Sequence, residues 1–142
     1  MHPAIIRACT LLVFSGSALG CGQTAPYTGE TRFPVQGKVT FNGEPVNGGT
    51  IAFIQQDEKS RPAGGPIVNG TYRVTENQGP NASTYRVEIR WLKPTGAKRK
   101  DDDTGEMVDV VKEVIPKRFN DQSELSASVS HEKLDFNFDL KP

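Results

Sequence analysis

Cysteine and histidine are scarce in this chain, and their scarcity excludes several kinds of site. The 142 residues include two cysteines, Cys9 and Cys21, and two histidines, His2 and His131. A zinc site needs several His or Cys ligands. A Ser-His-Asp triad would have to use His131, and the Gly-x-Ser-x-Gly motif is absent. We therefore expect no catalytic residues, no cofactor and no metal site, and we interpret His131 as a turn residue.

The chain also lacks an excess of either charge. Seventeen basic residues balance 17 acidic ones, so the formal net charge is zero. A protein that binds nucleic acid usually shows a basic excess on one face. We therefore expect no nucleic-acid partner.

No apolar run is long enough to span a bilayer, but a short one lies near the start. Arg7 precedes an apolar stretch at residues 8–14, and small, mostly polar residues follow at 15–20. A charged segment, an apolar segment and a small-residue segment in this order are typical of a signal peptide. We therefore expect residues 1–20 to direct export.

The end of this segment resembles a bacterial lipobox, after which a cysteine receives a diacylglycerol and the chain is cut. Gly20-Cys21 matches, whereas Ala18 and Leu19 depart from the usual Leu followed by Ala or Ser. Cleavage before Cys21 would leave one cysteine, which can form no internal disulfide. A lipid on Cys21 would remove that exposed thiol and would hold the protein on a membrane. The alternative is an ordinary secretory signal cleaved near Gly20, with Cys21 free.

Residues 21–32 have no hydrophobic period and are rich in Gly, Thr and Pro, so we predict a flexible tether. Gly22 follows the cysteine, in place of the Asp that retains many such lipoproteins at the inner membrane. The expected location is therefore a lipid-anchored position on the cell membrane, with the outer membrane or cell surface favoured.

A single all-β domain is predicted for residues 33–142. Fourteen glycines and ten prolines suit a fold with many turns. In the stretch from 35 to 41, Val35, Gly37, Val39 and Phe41 alternate with polar residues, Asn42-Gly43 follows as a strong hairpin signal, and a second strand is predicted at 50–55. A second hairpin is predicted at Asn69-Gly70. The clearest strand is 84–91, whose inward residues are Tyr85, Val87, Ile89 and Trp91.

The stretch from 93 to 120 is the hardest to interpret. Residues 93–106 place a basic triplet, 98–100, beside an acidic one, 101–103, and we predict a solvated loop. A calcium loop is the alternative, although the spacing fails the EF-hand pattern. Residues 107–115 fit a helical stripe or a strand, and four valines favour the strand. Loops are also predicted at 57–65 and 76–83, a turn at 116–120, and strands at 125–129 and 134–140.

The order of five motifs resembles small bacterial lipoproteins that have a carboxypeptidase-regulatory-like, transthyretin-like domain. The motifs are GKVTFNGEPVNGGTIAF, GGPIVNGTYRV, STYRVEI, VIPKRFN and LDFNFDL, and the match covers about residues 34–140. Ser83-Thr84-Tyr85 departs from the Gly-x-Tyr that is usual in the family. The resemblance implies an antiparallel Greek-key β-sandwich of about seven strands, also called prealbumin-like. It implies no function, because most of these lipoproteins have none established.

Two functions fit these expectations. The first is a non-enzymatic envelope protein that contacts other envelope proteins through its β-sandwich. The second is a carbohydrate-binding module of the cell envelope, which would need exposed aromatic side chains such as Tyr27, Phe33 or Trp91. A hydrolase is the least favoured, because transthyretin-like hydrolases use several histidines and a C-terminal Tyr-Arg-Gly-Ser, and neither occurs here.

Overall fold

The computed structural model describes residues 30–57 and 60–142, and this part of the chain is all-β. Two 3₁₀ turns, Glu76–Gln78 and Lys117–Phe119, are its only helical elements among the described residues. The ten strands, in chain order, are β1 Val35–Phe41, β2 Glu44–Pro45, β3 Gly49–Gln55, β4 Ala63–Val68, β5 Thr71–Val74, β6 Ser83–Arg90, β7 Leu92–Lys100, β8 Met107–Glu113, β9 Ser126–Val129 and β10 Phe138–Leu140.

Eight of the strands form one sheet and two form another. The larger sheet has the order β10-β1-β5-β4-β3-β6-β9, with β2 paired to the end of β1. The smaller sheet contains β7 and β8 alone. All pairs are antiparallel except β1 with β10, which are parallel.

The larger sheet curls around a single hydrophobic core. Alternate residues of its strands turn inward, as the period of two in a half-buried strand requires. Phe53 on β3 lies 6.2 Å, ring centre to ring centre, from Phe136, although several strands separate these segments within the sheet. The buried apolar set is Val35, Val39, Val46, Ile51, Phe53, Ile67, Tyr72, Val74, Tyr85, Val87, Ile89, Trp91, Ile115, Ala127, Val129, Phe136 and Leu140.

Both Asn-Gly pairs form the predicted hairpin turns. Asn42 and Gly43 have φ of 51° and 81°, and Asn69 and Gly70 have φ of 50° and 74°. Two successive positive φ values give the turn whose twist matches that of the flanking strands. The first hairpin joins β1 to β2 and the second joins β4 to β5.

The last segment of the chain lies directly on β1. Gln36 N–H donates to the carbonyl of Leu134, and Phe136 N–H donates to the carbonyl of Gln36. A Cβ atom at Gly37 would lie 1.8 Å from the Phe136 carbonyl oxygen. A glycine at this position therefore permits the close approach that builds the parallel pair.

Two predicted loops are wrong over part of their length. Residues 63–65 belong to β4, where Gly64 pairs with Ala52. Most of residues 93–106 belongs to β7, which pairs with β8 over its whole length apart from one irregularity between Pro94 and Lys98. At residues 63–65 and 93–100, glycines or charged residues leave no apolar alternation in the sequence. These residues are extended because they pair with a neighbouring strand, and they bury no large apolar side chain.

The remaining predicted strands are present, although only residues 138–140 of the one predicted at 134–140 form β10, and the strand count is larger than predicted. Residues 107–113 are extended as β8, and β9 and β10 fall within the predicted alternating segments. Ten strands replace the expected seven because β2 is a two-residue edge piece and β7 and β8 form a separate ribbon. The parallel pairing of β10 departs from the purely antiparallel sheet that was expected.

Candidate functional site

The predicted lipid site, Cys21, lies outside the described residues, as do the predicted signal peptide and most of the predicted tether. The last three residues of that tether are described. The Glu30 carboxylate accepts a hydrogen bond from the Asn81 amide, and Arg32 donates to the Asn77 carbonyl at 3.2 Å. Phe33 N–H then donates to Pro80 at 2.8 Å. The chain therefore enters the domain against the loop that precedes β6.

The most exposed apolar surface lies on the ribbon of β7 and β8, which we call the arm. Among the described residues, neither arm strand pairs with the larger sheet. All nine residues of β7 are exposed. An isolated two-stranded ribbon is at best marginally stable in water, so the arm depends on contacts at its base or on a partner.

One face of the arm carries four exposed apolar side chains, three near its base and Met107 near its tip. Residues opposite each other in an antiparallel pair share a face, and Pro94 is opposite Val111 while Leu92 is opposite Glu113. Leu92 is 53%, Met107 59% and Val111 50% exposed. We call Leu92, Pro94, Met107 and Val111 the apolar arm face. An ion pair between Lys98 and Asp109, at 3.4 Å, lies within it.

The carboxylate of Glu113 joins the arm to the body of the domain. Its Oε1 accepts hydrogen bonds from the backbone N–H groups of Trp91 and Ile115, both at 2.9 Å. Trp91 also donates from its indole Nε1 to the Asn47 carbonyl at 2.7 Å. Both Trp91 and Ile115 belong to the core, so these bonds hold the base of the ribbon against it.

The tip of the arm is a self-contained turn. Asp101 Oδ1 accepts hydrogen bonds from the N–H groups of Asp103 and Thr104, at 3.1 and 2.9 Å, and from the Thr104 hydroxyl at 3.0 Å. These bonds lower the pKa of Asp101, with the Thr104 N–H the largest cause. The carboxylate thus closes a turn. Among residues 30–57 and 60–142, no cluster of three or more His, Cys, Asp or Glu side chains could hold a metal ion, so no geometry supports the calcium alternative.

The aromatic residues that a glycan site would need are turned inward in the described part of the chain. Trp91 is only 6% exposed, and Phe33 is half-buried and packs against the core. Tyr27 lies outside the described residues. The exposed large apolar residues that the structure describes are Val68, Leu92, Met107 and Val111, none of them aromatic.

A polar groove of about 680 Å³ crosses β1, β5 and the segment before β10. Its polar groups largely bond to each other. Gln36 donates to Asp135 at 2.9 Å, and Asn137 accepts from the Lys38 N–H at 2.8 Å. The buried Tyr72 hydroxyl donates to the Phe136 carbonyl at 2.9 Å, and burial raises its pKa far above the ordinary value. These bonds join the last segment of the chain to the sheet, so the polar side chains that line the groove have a structural role.

Sequence reasoning predicted part of the arm and missed the rest. The valines of β8 indicate a strand, but the adjacent basic and acidic blocks at 98–103 indicate a loop where β7 lies. Neither face of β7 is buried, so an apolar alternation is not required of this strand.

His131 lies in the predicted turn, and its ring centre is 6.1 Å from that of Phe33. No helix among the described residues is long and apolar enough to cross a membrane.

Comparisons of the chain with models of known protein families, with curated proteins and with solved structures found no significant match. Any function proposed for this protein therefore depends on its own residues and their geometry.

Proposed function

We propose that this protein is a non-enzymatic, lipid-anchored module of the bacterial cell envelope that binds other envelope proteins through its arm. The observation on which this depends is the apolar arm face. Apolar side chains around a charged pair, on a ribbon that extends from the body, suit a protein partner, because protein interfaces combine an apolar centre with polar surroundings. Exposed apolar patches commonly mark such interaction sites.

The proposed anchor is a lipid on Cys21. Gly20-Cys21 after a short apolar segment, in a chain whose other cysteine lies within the proposed signal peptide, supports it. Acyl chains contribute about 0.8 kcal/mol for each buried methylene, so two or three chains would hold the domain on a membrane. Outer-membrane or cell-surface placement is part of the proposal, since Gly22 follows the cysteine.

The proposed finer fold is a Greek-key, transthyretin-like sandwich. The curled sheet supports it, because side chains from β1 and β5 on one side and from β3 and β6 on the other meet in one core. The ring contact between Phe53 and Phe136 bridges these two sides. In this interpretation, β7 and β8 are an insertion into the sandwich.

A binding experiment tests the proposed protein partner. The detergent-solubilised full chain is immobilised and exposed separately to the protein and the polysaccharide fractions of the organism's own envelope. We expect retention from the protein fraction. We also expect replacing both Leu92 and Val111 with Ser to weaken it by about tenfold or more, because both changes remove apolar surface that binding would bury and a tenfold loss needs only about 1.4 kcal/mol.

Val68→Ser is the matched control, because Val68 is as exposed as Val111 but lies on β4, which does not pair with either strand of the arm. Retention that survives the double change, or falls equally in the control, would contradict the role of the arm. Retention of polysaccharide instead of protein would favour the carbohydrate-binding alternative, with the polar groove as the site to test. No retention from either fraction would also contradict the proposal.

A further inference from the structure

The two strands of the arm differ in how their free edges are protected. A free edge offers unpaired backbone groups to other chains, and proteins protect such edges with proline, bulges and charged residues, lysine above all. The edge of β7 has these features: Pro94, an irregular register between Pro94 and Lys98, and the basic triplet 98–100. The edge of β8 has a regular register, no proline and no glycine. Its seven residues include three valines and three charged residues, so charge is its only protection.

The hydrogen bonds of the arm show which groups of β8 point outward. Val114 N–H donates to the Trp91 carbonyl at 3.0 Å, and the Val110 carbonyl accepts from the Thr95 hydroxyl at 2.9 Å. At the other end, the Glu106 carbonyl accepts from Asp101 N–H at 2.8 Å. All three β8-side residues are even-numbered, and backbone groups alternate along a strand. The outward N–H and C=O groups therefore belong to Met107, Asp109, Val111 and Glu113.

We propose that this edge of β8 binds the same edge of a second copy of the chain, so that two arms form one four-stranded antiparallel sheet. The charges of β8 select the register. In a two-fold antiparallel pair, residues on the same face lie opposite each other, which requires residues of the same parity. With Val110 opposite its own copy, Asp109 lies opposite Val111 and Met107 opposite Glu113, so no like charges are opposed.

The neighbouring registers are unfavourable. Shifting in one direction places Asp109 opposite its own copy, and shifting in the other places Asp109 opposite Glu113. Like charges directly opposite each other destabilise a strand pair. The favoured register also lets Asp109 and Val111 exchange their outward backbone hydrogen bonds. A pair of identical β8 strands in this register opposes no like charges, which favours a second copy of the chain over a strand from a different protein.

The pairing has a consequence for the apolar arm face. A two-fold axis perpendicular to the sheet keeps corresponding faces on the same side, so the apolar faces of both arms would form one continuous surface. The inference goes beyond the proposed function, because it concerns the edge of β8 and not that face. Two linked copies would bind a repeated partner more tightly than one copy does, since the second contact becomes intramolecular.

Disulfide cross-linking of the full chain in envelope membranes tests the proposed register. In the favoured register, the two copies of Val110 form a non-hydrogen-bonded pair with Cα atoms about 4.5 Å apart. This separation lies within the range that a disulfide can bridge. After mild oxidation, we expect the Val110→Cys variant to run mainly as a dimer on a non-reducing gel.

Val108→Cys is the matched control, because Val108 is also a half-buried valine of β8 on the same face as Val110. In the favoured register, the two copies of residue 108 lie four residues apart, about 13 Å, too far for a disulfide. The wild-type chain measures any background from Cys9 and Cys21. Equal dimer bands at positions 108 and 110, no dimer at 110 above the wild-type background, or an adduct of a different mass would overturn the proposal.

An edge-blocking change is a second, independent test. Asp109→Pro removes an outward N–H but no donor of the β7–β8 ladder, so the arm itself keeps its hydrogen bonds. Combined with Val110→Cys, it should reduce the dimer band to the wild-type background. An undiminished band would contradict the strand pairing. The Ser changes at Leu92 and Val111 leave the backbone edge intact and should not affect cross-linking, so failure of the proposed function is distinguishable from failure of this inference.

Discussion

Two valines show that the position of a residue in the fold decides how much it contributes to the free energy of folding. Val87, on β6, is fully buried in the core, whereas Val68, on β4, is 54% exposed. Burying a valine side chain contributes about 1.5–3 kcal/mol. The alternation of residues 84–91 predicted that Val87 points inward, and the structure confirms it.

We expect Val87→Asp to prevent cooperative folding. An unpaired carboxylate in the core costs several kcal/mol, a large share of the roughly 5–15 kcal/mol that stabilises a typical domain. Val68→Asp, the same change on the surface, should alter the free energy of unfolding by no more than about 0.5 kcal/mol. Thermal unfolding followed by circular dichroism measures both. A cooperative transition for Val87→Asp at the wild-type temperature would contradict the assignment of the core.

Gly37 lies where the fold leaves no room for a side chain. We expect Gly37→Ala to reduce the free energy of unfolding by about 1–3 kcal/mol or more, because the new Cβ would overlap the Phe136 carbonyl oxygen. Gly65→Ala is the control, since the nearest atom to its Cβ would be an ordinary 3.7 Å away. Denaturant unfolding compares the two. Equal effects would contradict the close approach of the last segment to β1.

At the scale of elements, the arm differs from the strands of the larger sheet in how much of its surface is buried. Most strands of the body are recognisable in the sequence because one face of the strand is buried, which imposes an apolar alternation; β2 and the first half of β4 are the exceptions. β7 has no buried face, so its sequence shows charged and turn-forming residues without an apolar alternation. Its formation depends on the pairing of β7 with β8 and on the anchorage of its base by Glu113.

The turn at the tip of the arm should weaken in acid. The hydrogen bonds from Thr104 and Asp103 lower the pKa of Asp101 below its ordinary value of 3.8. A lowered pKa in the folded state means that the ionised carboxylate stabilises the turn above about pH 3.8, and that this stabilisation disappears as the pH falls through the lowered pKa. An NMR titration of the Asp101 carboxyl carbon measures the shift.

Thr104→Ala is the matched change for this titration. It removes the hydroxyl donor and keeps the backbone N–H, so the pKa of Asp101 should rise toward its ordinary value but not reach it. A midpoint at or above 3.8 in the wild-type chain, or an unchanged midpoint in the variant, would contradict the geometry of the turn.

At the scale of the whole molecule, function requires both an anchor and a binding surface. The anchor is proposed from the sequence near Cys21, and the surface from the arm. Arg32 and Phe33 bond the start of the described chain to the loop before β6, so the domain is held at a defined point where the proposed tether ends. The arm begins at the opposite end of β6, at Leu92.

Metabolic labelling with an alkyne fatty acid tests the anchor. We expect the wild-type chain to be labelled in an exporting bacterial host and Cys21→Ser to be unlabelled, because the diacylglycerol bonds to that thiol. Cys9→Ser should be labelled like the wild type, since Cys9 lies in the segment that is proposed to be removed. No label on the wild type would indicate an ordinary secretory signal, and label on the Cys21→Ser chain would place the lipid on another residue; either result would contradict the proposed anchor.

The sequence alone determined the features that depend on neighbouring residues. Alternation identified the inward residues of β6, β9 and the last strand, and both Asn-Gly pairs identified their turns, because a period of two and a positive φ are local requirements. Only the tertiary structure decided which strands pair across long separations. Contacts between distant segments decide the parallel pairing of β10 with β1, the strand at β7 and the free edge of β8. A local sequence pattern does not specify such contacts.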